Sequence, residues 1–278
     1  MLNFQKLNLN PLIIKSLEKK GYTTPTPIQE QSIPHLLEGK DLLGIAQTGT
    51  GKTAAFSLPL LDKLSKENKT NNHQIKALIL SPTRELAVQI ADNIKLYGEG
   101  LKLKHAVIFG GVNEFHQIKA LKSGIDIVIA TPGRLLDLTN QGYVDYSHIE
   151  FFVLDEADRM LDLGFINDVK KIISKLPKNR QSLLFSATMP DSISQLAHSI
   201  LKDPITVEIT PQSTTVERIN QKIYQVDKSN KSALLLEVIT AKDVVASLVF
   251  CKTKHGANKI VEYLKKYGVL VSAIHGNK

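Results

Sequence analysis

Along the chain, short runs in which nearly every position is apolar alternate with longer segments whose apolar positions recur every three or four residues. The runs are ALILS (77–81), HAVIFG (105–110), IDIVIAT (125–131), FFVLDEA (151–157) and SLLFSAT (182–188). ELAVQIADNIKLYG, EFHQIKALKSG, RLLDLTNQG and FINDVKKIISKLP lie between them and carry the helical spacing. Strands that are apolar throughout are covered on both faces, and their alternation with helices predicts an α/β fold around a central parallel sheet. Ligands of such sheets sit beyond the carboxyl ends of the strands.

Upstream, LNPLIIKSLEKKG predicts a short helix ending at Gly21. Three prolines punctuate YTTPTPIQEQSIPHLLEG rather than extend that helix. An Ala-rich amphipathic segment runs to about Leu64, with Pro59 expected to bend it or interrupt a backbone bond, and SKENKTNNHQ (65–74) is a surface loop. TVEI (206–209) reads as a strand, and TPQSTTVERIN after it reads as a linker. A second rhythm of KIYQV, NKSALLLEVIT, SLVFC, KHGANKIVEYLKKYG and LVSAIHG predicts strands alternating with helices. It amounts to about half a domain, expected to be the start of a truncated one.

Composition narrows the class. An apolar content of 42% and a mean hydropathy of -0.07 describe a soluble globular protein. No apolar run is long enough to span a membrane, no signal-type core follows Met1, and cytoplasmic residence is the default expectation. The single cysteine, Cys251, excludes an intramolecular disulfide and sits in an apolar run that predicts a buried thiol. Eight histidines without paired spacing argue against zinc. From Glu217 onward 11 Lys and Arg face 5 Asp and Glu, so +6 of the net +8 lies in the last 62 residues. A polyanionic partner and a plain solvated surface both fit that charge.

The chemistry concentrates at the ends of the apolar runs. LLGIAQTGTGKT (42–53) reads as a strand, a glycine-containing loop and a helix start. There the N–H groups of Gly49, Thr50 and Gly51 can converge on a triphosphate, Lys52 can reach its outer phosphates and the Thr53 hydroxyl can hold Mg²⁺. The first position of that loop pattern is ordinarily Gly and is Ala46 here. Asp155 and Glu156 close a buried strand, where an acid can hold Mg²⁺ and its neighbour can orient water; an acidic helix start is the alternative. Ser81-Pro82-Thr83-Arg84 and Thr131-Pro132-Gly133-Arg134 each place a hydroxyl, a proline and an arginine after a strand. Taken singly each is ordinary helix-start chemistry; together, beyond strand ends of one sheet, they suit contacts to a sugar-phosphate backbone. Gly110-Gly111 permits close backbone approach or marks a turn. Ser186 and Thr188 offer hydroxyls beside the triphosphate or caps for the next helix.

Assembled, AQTGTGKT (46–53), PTRELA (82–87), Gly110-Gly111, TPGR (131–134), VLDEAD (153–158) and SAT (186–188) occur in the order of the DEAD-box family of ATP-dependent RNA helicases, which the chain resembles. That family carries Ala at the loop position of Ala46. GYTTPTPIQ (21–29) resembles the family's adenine-recognition motif, with Phe4 as its isolated aromatic. The resemblance implies that Gln29 reads the adenine edge and Tyr22 stacks on the ring, beside the phosphate-binding residues Ala46, Gln47, Thr48, Gly49, Thr50, Gly51, Lys52 and Thr53.

It further implies a RecA-like P-loop NTPase domain plus the N-terminal part of a second RecA-like domain. The expected division is an adenine-recognition segment at 1–31, domain 1 at 32–208, a linker at 209–220 and partial domain 2 at 221–278. Lys52, Asp155, Glu156, Ser186 and Thr188 are implied to be catalytic, with Mg²⁺ on Thr53 and Asp155. RNA would lie on Pro82, Thr83, Arg84, Gly110, Gly111, Thr131, Pro132, Gly133 and Arg134. VFCKTK (249–254) and SAIHGNK resemble stretches of the second domain, and IHGNK is similar to the RhlE-like bacterial subgroup. The γ-phosphate arginines of the family fall beyond Lys278, so this chain is expected to bind nucleotide and hydrolyse it poorly. A nucleotide-dependent RNA clamp and a DNA translocase are the competing readings; the Gln29 motif and Asp158 favour RNA.

Overall fold

The computed structural model describes residues 3–66, 74–209 and 220–276 and divides into two units, Met1–Thr214 and Thr215–Lys278. Most of the loop expected at 65–74 and of the linker expected at 209–220 lies outside the described residues.

The first unit is built on seven parallel strands: β1 Leu42–Ile45, β2 Ala77–Leu80, β3 His105–Ile108, β4 Ile127–Ala130, β5 Phe151–Leu154, β6 Gln181–Ser186 and β7 Ile205–Glu208. Their spatial order is β3-β4-β2-β5-β6-β1-β7. Because all run the same way, every carboxyl end lies on one edge of the sheet. Alternating residues feed two cores. Ala77, Ile79, Phe151, Val153, Leu183 and Phe185 face one side, and Leu78, Leu80, Phe152, Leu154 and Leu184 face the other.

The first face is covered by α1 (Pro11–Lys19), α2 (Pro27–Leu37), α3 (Lys52–Lys66) and α4 (Arg84–Tyr97). The second is covered by α6 (Pro132–Asn140), α7 (Ala157–Asp162), α8 (Ile166–Ile173) and α9 (Asp191–Ile200), with α5 (Phe115–Lys122) following β3. Asp62 of α3, 1% exposed, accepts the N–H of Asn10 at 2.7 Å and an ion pair from Lys66, which ties the N-terminal segment to the sheet-bound helix.

Three prolines fall at the start of a helix or inside one. Pro27 opens α2 at its first position, where its missing N–H would be unpaired in any case, and Pro34 lies inside the helix. Burial of Ile28, Ile33 and Leu36 outweighs the lost hydrogen bond. Pro59 is likewise enclosed in a continuous α3, among side chains almost wholly buried.

In the second unit α10 (Lys231–Ile239) and α11 (Lys254–Lys266) form as the pattern predicts. Among its described residues none of KIYQV, SLVFC or LVSAIHG forms a strand, contrary to the sequence expectation. A strand exists only through its ladder partners, and here Ile223, Phe250 and Ile274 stand 88–94% exposed. Cys251 is exposed for the same reason, so the expected buried thiol is not realised.

Candidate active site

The loop 46–51 leaves β1 and enters α3. A Cβ at Gly44 would collide with the Phe185 ring, so glycine lets that ring cross β1 and meet Phe56 of α3, centroids 5.6 Å apart. The start of α3 is thereby seated against β6. Gly49 and Gly51 hold φ of 87° and 97°, a region that favours glycine, and a Cβ at Gly51 would strike the Gln29 amide. Ala46 lies outside the positive-φ residues, and its methyl is buried in the core. That position requires a small side chain rather than glycine, which accounts for its departure from the usual pattern.

The loop curls around Lys52, 6% exposed, whose ammonium donates to the Ala46 carbonyl at 2.8 Å; Thr50 Oγ1 donates to the Gln47 carbonyl at 2.8 Å. Thr53, half-buried, stands in the first turn of α3. Gln29 takes Thr26 N–H on Oε1 at 3.0 Å and donates from Nε2 to the Gly51 carbonyl at 3.1 Å. The start of α2 is thus fastened to the loop. Phe4 is 3% exposed and packs in the first core, and it shares a small cleft with Tyr22 and Thr23. The Tyr22 ring, 47% exposed, stands edge-on to Tyr97 at the far end of α4. The structure joins Gln29 to the loop and gathers Phe4 and Tyr22 in another cluster.

β6 lies between β5 and β1, and the register sets Ser186 level with Ile45. Asp155 and Glu156 follow β5. Asp155, 2% exposed, accepts Glu156 N–H at 3.0 Å; burial pushes its carboxyl up to about 7 even though the Lys52 charge pulls the other way. A divalent cation would favour the charged form, and one carboxylate plus a hydroxyl suits Mg²⁺, which keeps waters and phosphate oxygens as its other ligands. Glu156 has φ 52° and ψ 54°, a left-handed conformation that costs an L-residue roughly 1–2 kcal/mol. Its carboxylate accepts Thr48 Oγ1 at 3.2 Å on Oε1 and Arg159 Nη1 at 3.4 Å on Oε2. Glu156 also occupies the N-cap position of α7, without a side-chain capping bond, so the acidic helix start and the aimed carboxylate coexist.

Ser186 and Thr188 cap α7 and its carboxylate rather than the helix that follows them. Ser186 Oγ accepts Asp158 N–H at 3.2 Å and donates to the Thr188 carbonyl at 2.8 Å. Asp158 Oδ2 accepts Ala187 N–H at 3.2 Å and both the N–H and hydroxyl of Thr188 at 2.9 Å. Burial works to raise this carboxyl, and the donors outweigh it and hold it below its ordinary value. Sequence reasoning used Asp158 only as a family mark; its partners lie about thirty residues away and leave no local signal. We expect Asp158→Asn to speed amide exchange at Ala187 and Thr188 while β5 and β6 amides stay protected, measured by hydrogen exchange.

The arginine-bearing motifs occupy the other half of the edge, beyond β3, β4 and β2. Pro82 is buried, and Thr83 caps α4 by accepting Leu86 N–H at 3.3 Å, as the helix-start reading requires. Thr131 makes no such bond, and Pro132 is buried while Gly133 is exposed. Arg134 donates from Nη2 to the Val112 carbonyl at 3.2 Å and lies 3.6 Å from Asp137, while its buried Nη1 has no partner among the described residues. Gly111, at φ 79°, turns the chain after β3, and Gly110 beside it is exposed.

With this geometry in hand, residues 26–196 match the DEAD/DEAH box helicase family. The chain is 43% identical over 276 residues to the DEAD-box ATP-dependent RNA helicase CshA of Streptococcus pneumoniae, covering 99% of this chain and 52% of that protein. It is 40% identical to the ATP-dependent RNA helicase DeaD of Haemophilus influenzae, covering 99% and 44%. A crystal structure of a DEAD box protein from the hyperthermophile Methanococcus jannaschii superposes with a TM-score of 0.70 at 39% identity, covering 100% of this chain and 74% of that one. The chain spans about half the length of these curated relatives. By sequence, by fold and by the residues gathered at one sheet edge, the chain belongs to the DEAD/DEAH box helicase family.

Proposed function

We propose that this chain carries the ATP-binding part of a cytoplasmic RNA-dependent ATPase that separates short RNA duplexes. The observation that carries the reading is the division of one sheet edge: phosphate chemistry above β5, β6 and β1, arginines and hydroxyls above β3, β4 and β2. Lys52 and the N–H groups of 49–51 bind the phosphates, Gln29 reads the base, and Thr53 and Asp155 hold Mg²⁺; Tyr22, which stands against Tyr97, is not assigned to the base. The metal supplies charge neutralisation of the phosphates. Glu156 orients the attacking water and takes its proton, with Thr48 and Arg159 aiming the carboxylate. Ser186 and Thr188, through Asp158, relay the state of that site to α7. Thr83, Arg84, Thr131 and Arg134 hold the RNA backbone without reading bases.

Turnover by the 278 residues alone is slow in this reading. No arginine follows Arg218, and the family resemblance places the γ-phosphate arginines outside these 278 residues. Lack of such a group typically lowers turnover by roughly 10³ to 10⁵. The test is equilibrium binding of a fluorescent ATP analogue with Mg²⁺ and of labelled oligouridylate, with oligodeoxythymidylate as competitor. Tight nucleotide binding and preference for RNA are expected. Equal competition by the DNA favours a translocase, and brisk RNA-stimulated hydrolysis by this chain overturns the slow-turnover claim.

A further inference from the structure

Beyond β3, one buried amide grips one residue of backbone. Gln117 of α5, 8% exposed, takes Phe109 N–H on Oε1 at 3.1 Å and donates from Nε2 to the Phe109 carbonyl at 3.0 Å. Both polar groups of the side chain are spent on Phe109, so the orientation of this residue is fixed from α5. The ring so held carries the Arg84 guanidinium 4.7 Å from its centroid.

Arg84 starts α4 and is exposed. A free arginine on a surface samples many rotamers, and ordering it on a ligand costs about 2 kcal/mol of entropy. A ring beneath the guanidinium removes much of that freedom beforehand. A guanidinium held over a ring by its charge keeps N–H donors for phosphate oxygens. Arg84 follows β2 and Phe109 follows β3, and β4 runs between those strands. The contact therefore spans the end of β4, from which Thr131 and Arg134 arise.

We propose that Phe109 and Gln117 are positioning residues for RNA binding: they hold Arg84 over the end of β4, its donors aimed at a phosphate beside Thr131 and Arg134. This rests on the reading of Arg84 as a contact to the RNA backbone. Neither residue was singled out by its sequence, because an apolar residue at a strand end and a glutamine in a helix have ordinary structural uses.

The test measures binding of a labelled oligouridylate to the 278-residue chain over a range of salt, in Arg84→Ala, Phe109→Leu, Phe109→Tyr and Gln117→Leu. Phe109→Leu and Gln117→Leu are expected to weaken RNA binding about threefold to tenfold and to lower the salt slope by roughly 0.7, the value of one lost phosphate contact on a single strand. Phe109→Tyr retains affinity, because the ring remains. Affinity for an ATP analogue stays unchanged in Phe109→Leu, Phe109→Tyr and Gln117→Leu, which separates positioning from damage to the fold. Phe109→Leu adds no loss to Arg84→Ala, since both act through the same contact. Unchanged RNA affinity in Arg84→Ala removes the backbone reading and this inference with it. A loss in Arg84→Ala with parental affinity and slope in Phe109→Leu and Gln117→Leu overturns the inference alone.

Discussion

Lys52→Ala lowers the affinity of this chain for ATP at least about a hundredfold, since hydrogen bonds to charged groups contribute roughly 1.5–3 kcal/mol each and the ammonium serves more than one phosphate oxygen. Its surroundings sharpen the effect. The Lys52 charge works against the burial that raises Asp155, and Glu156 adds a second carboxylate at the same strand end. Without the ammonium, an arriving triphosphate meets acids and no side-chain cation in the loop. The fold survives, because only the one bond to the Ala46 carbonyl is lost and both cores are untouched. Calorimetric titration measures the loss directly. A second readout is the ATP-induced rise in thermal midpoint, which shrinks with the affinity. Binding retained within threefold would remove the loop from the phosphate site.

Glu156→Gln leaves ATP affinity nearly unchanged and slows hydrolysis by roughly 10² to 10⁴, the range that a positioned general base contributes. The substitution isolates the chemistry. Glutamine is the same size, bears the same left-handed backbone strain and still accepts the Thr48 hydroxyl through its amide oxygen. What it lacks is a basic oxygen for the proton of water, along with the charge that attracts Arg159. Single-turnover measurement on the 278-residue chain, run over hours, registers even a slow parental rate against which the variant is compared. Equal single-turnover rates would assign the base elsewhere. Loss of ATP affinity together with rate would make Glu156 a ligand rather than a base.

Much of the site was legible because its signals are local. Glycines at 49 and 51 announce a turn that needs positive φ, a lysine and a hydroxyl at a helix start announce anion chemistry, and two acids at the end of an apolar run announce a buried charge that needs a partner. The five apolar runs likewise identify β2 to β6, because a strand covered on both faces is a short run apolar nearly throughout. α9 went unnoticed, and α2 was obscured by Pro27 and Pro34, whose tolerance depends on helix position and on burial that no short window contains.

By itself, then, the sequence determined the parallel α/β fold, the family and the residue types at each strand end. Strand order was decided only in three dimensions, since crossover helices choose neighbours by how they pack and not by adjacency in the chain. That order sets β6 between β1 and β5, so Ser186 stands between the loop and the acids, and it places β4 beneath the contact of Arg84 with Phe109. Bonds such as Thr48 to Glu156, 108 residues apart, and Asp158 to Thr188, 30 apart, follow from it. The second unit shows the reverse limit. Its apolar runs have the composition of strands and stand exposed, because a strand is a property of a pair and its described residues provide no ladder.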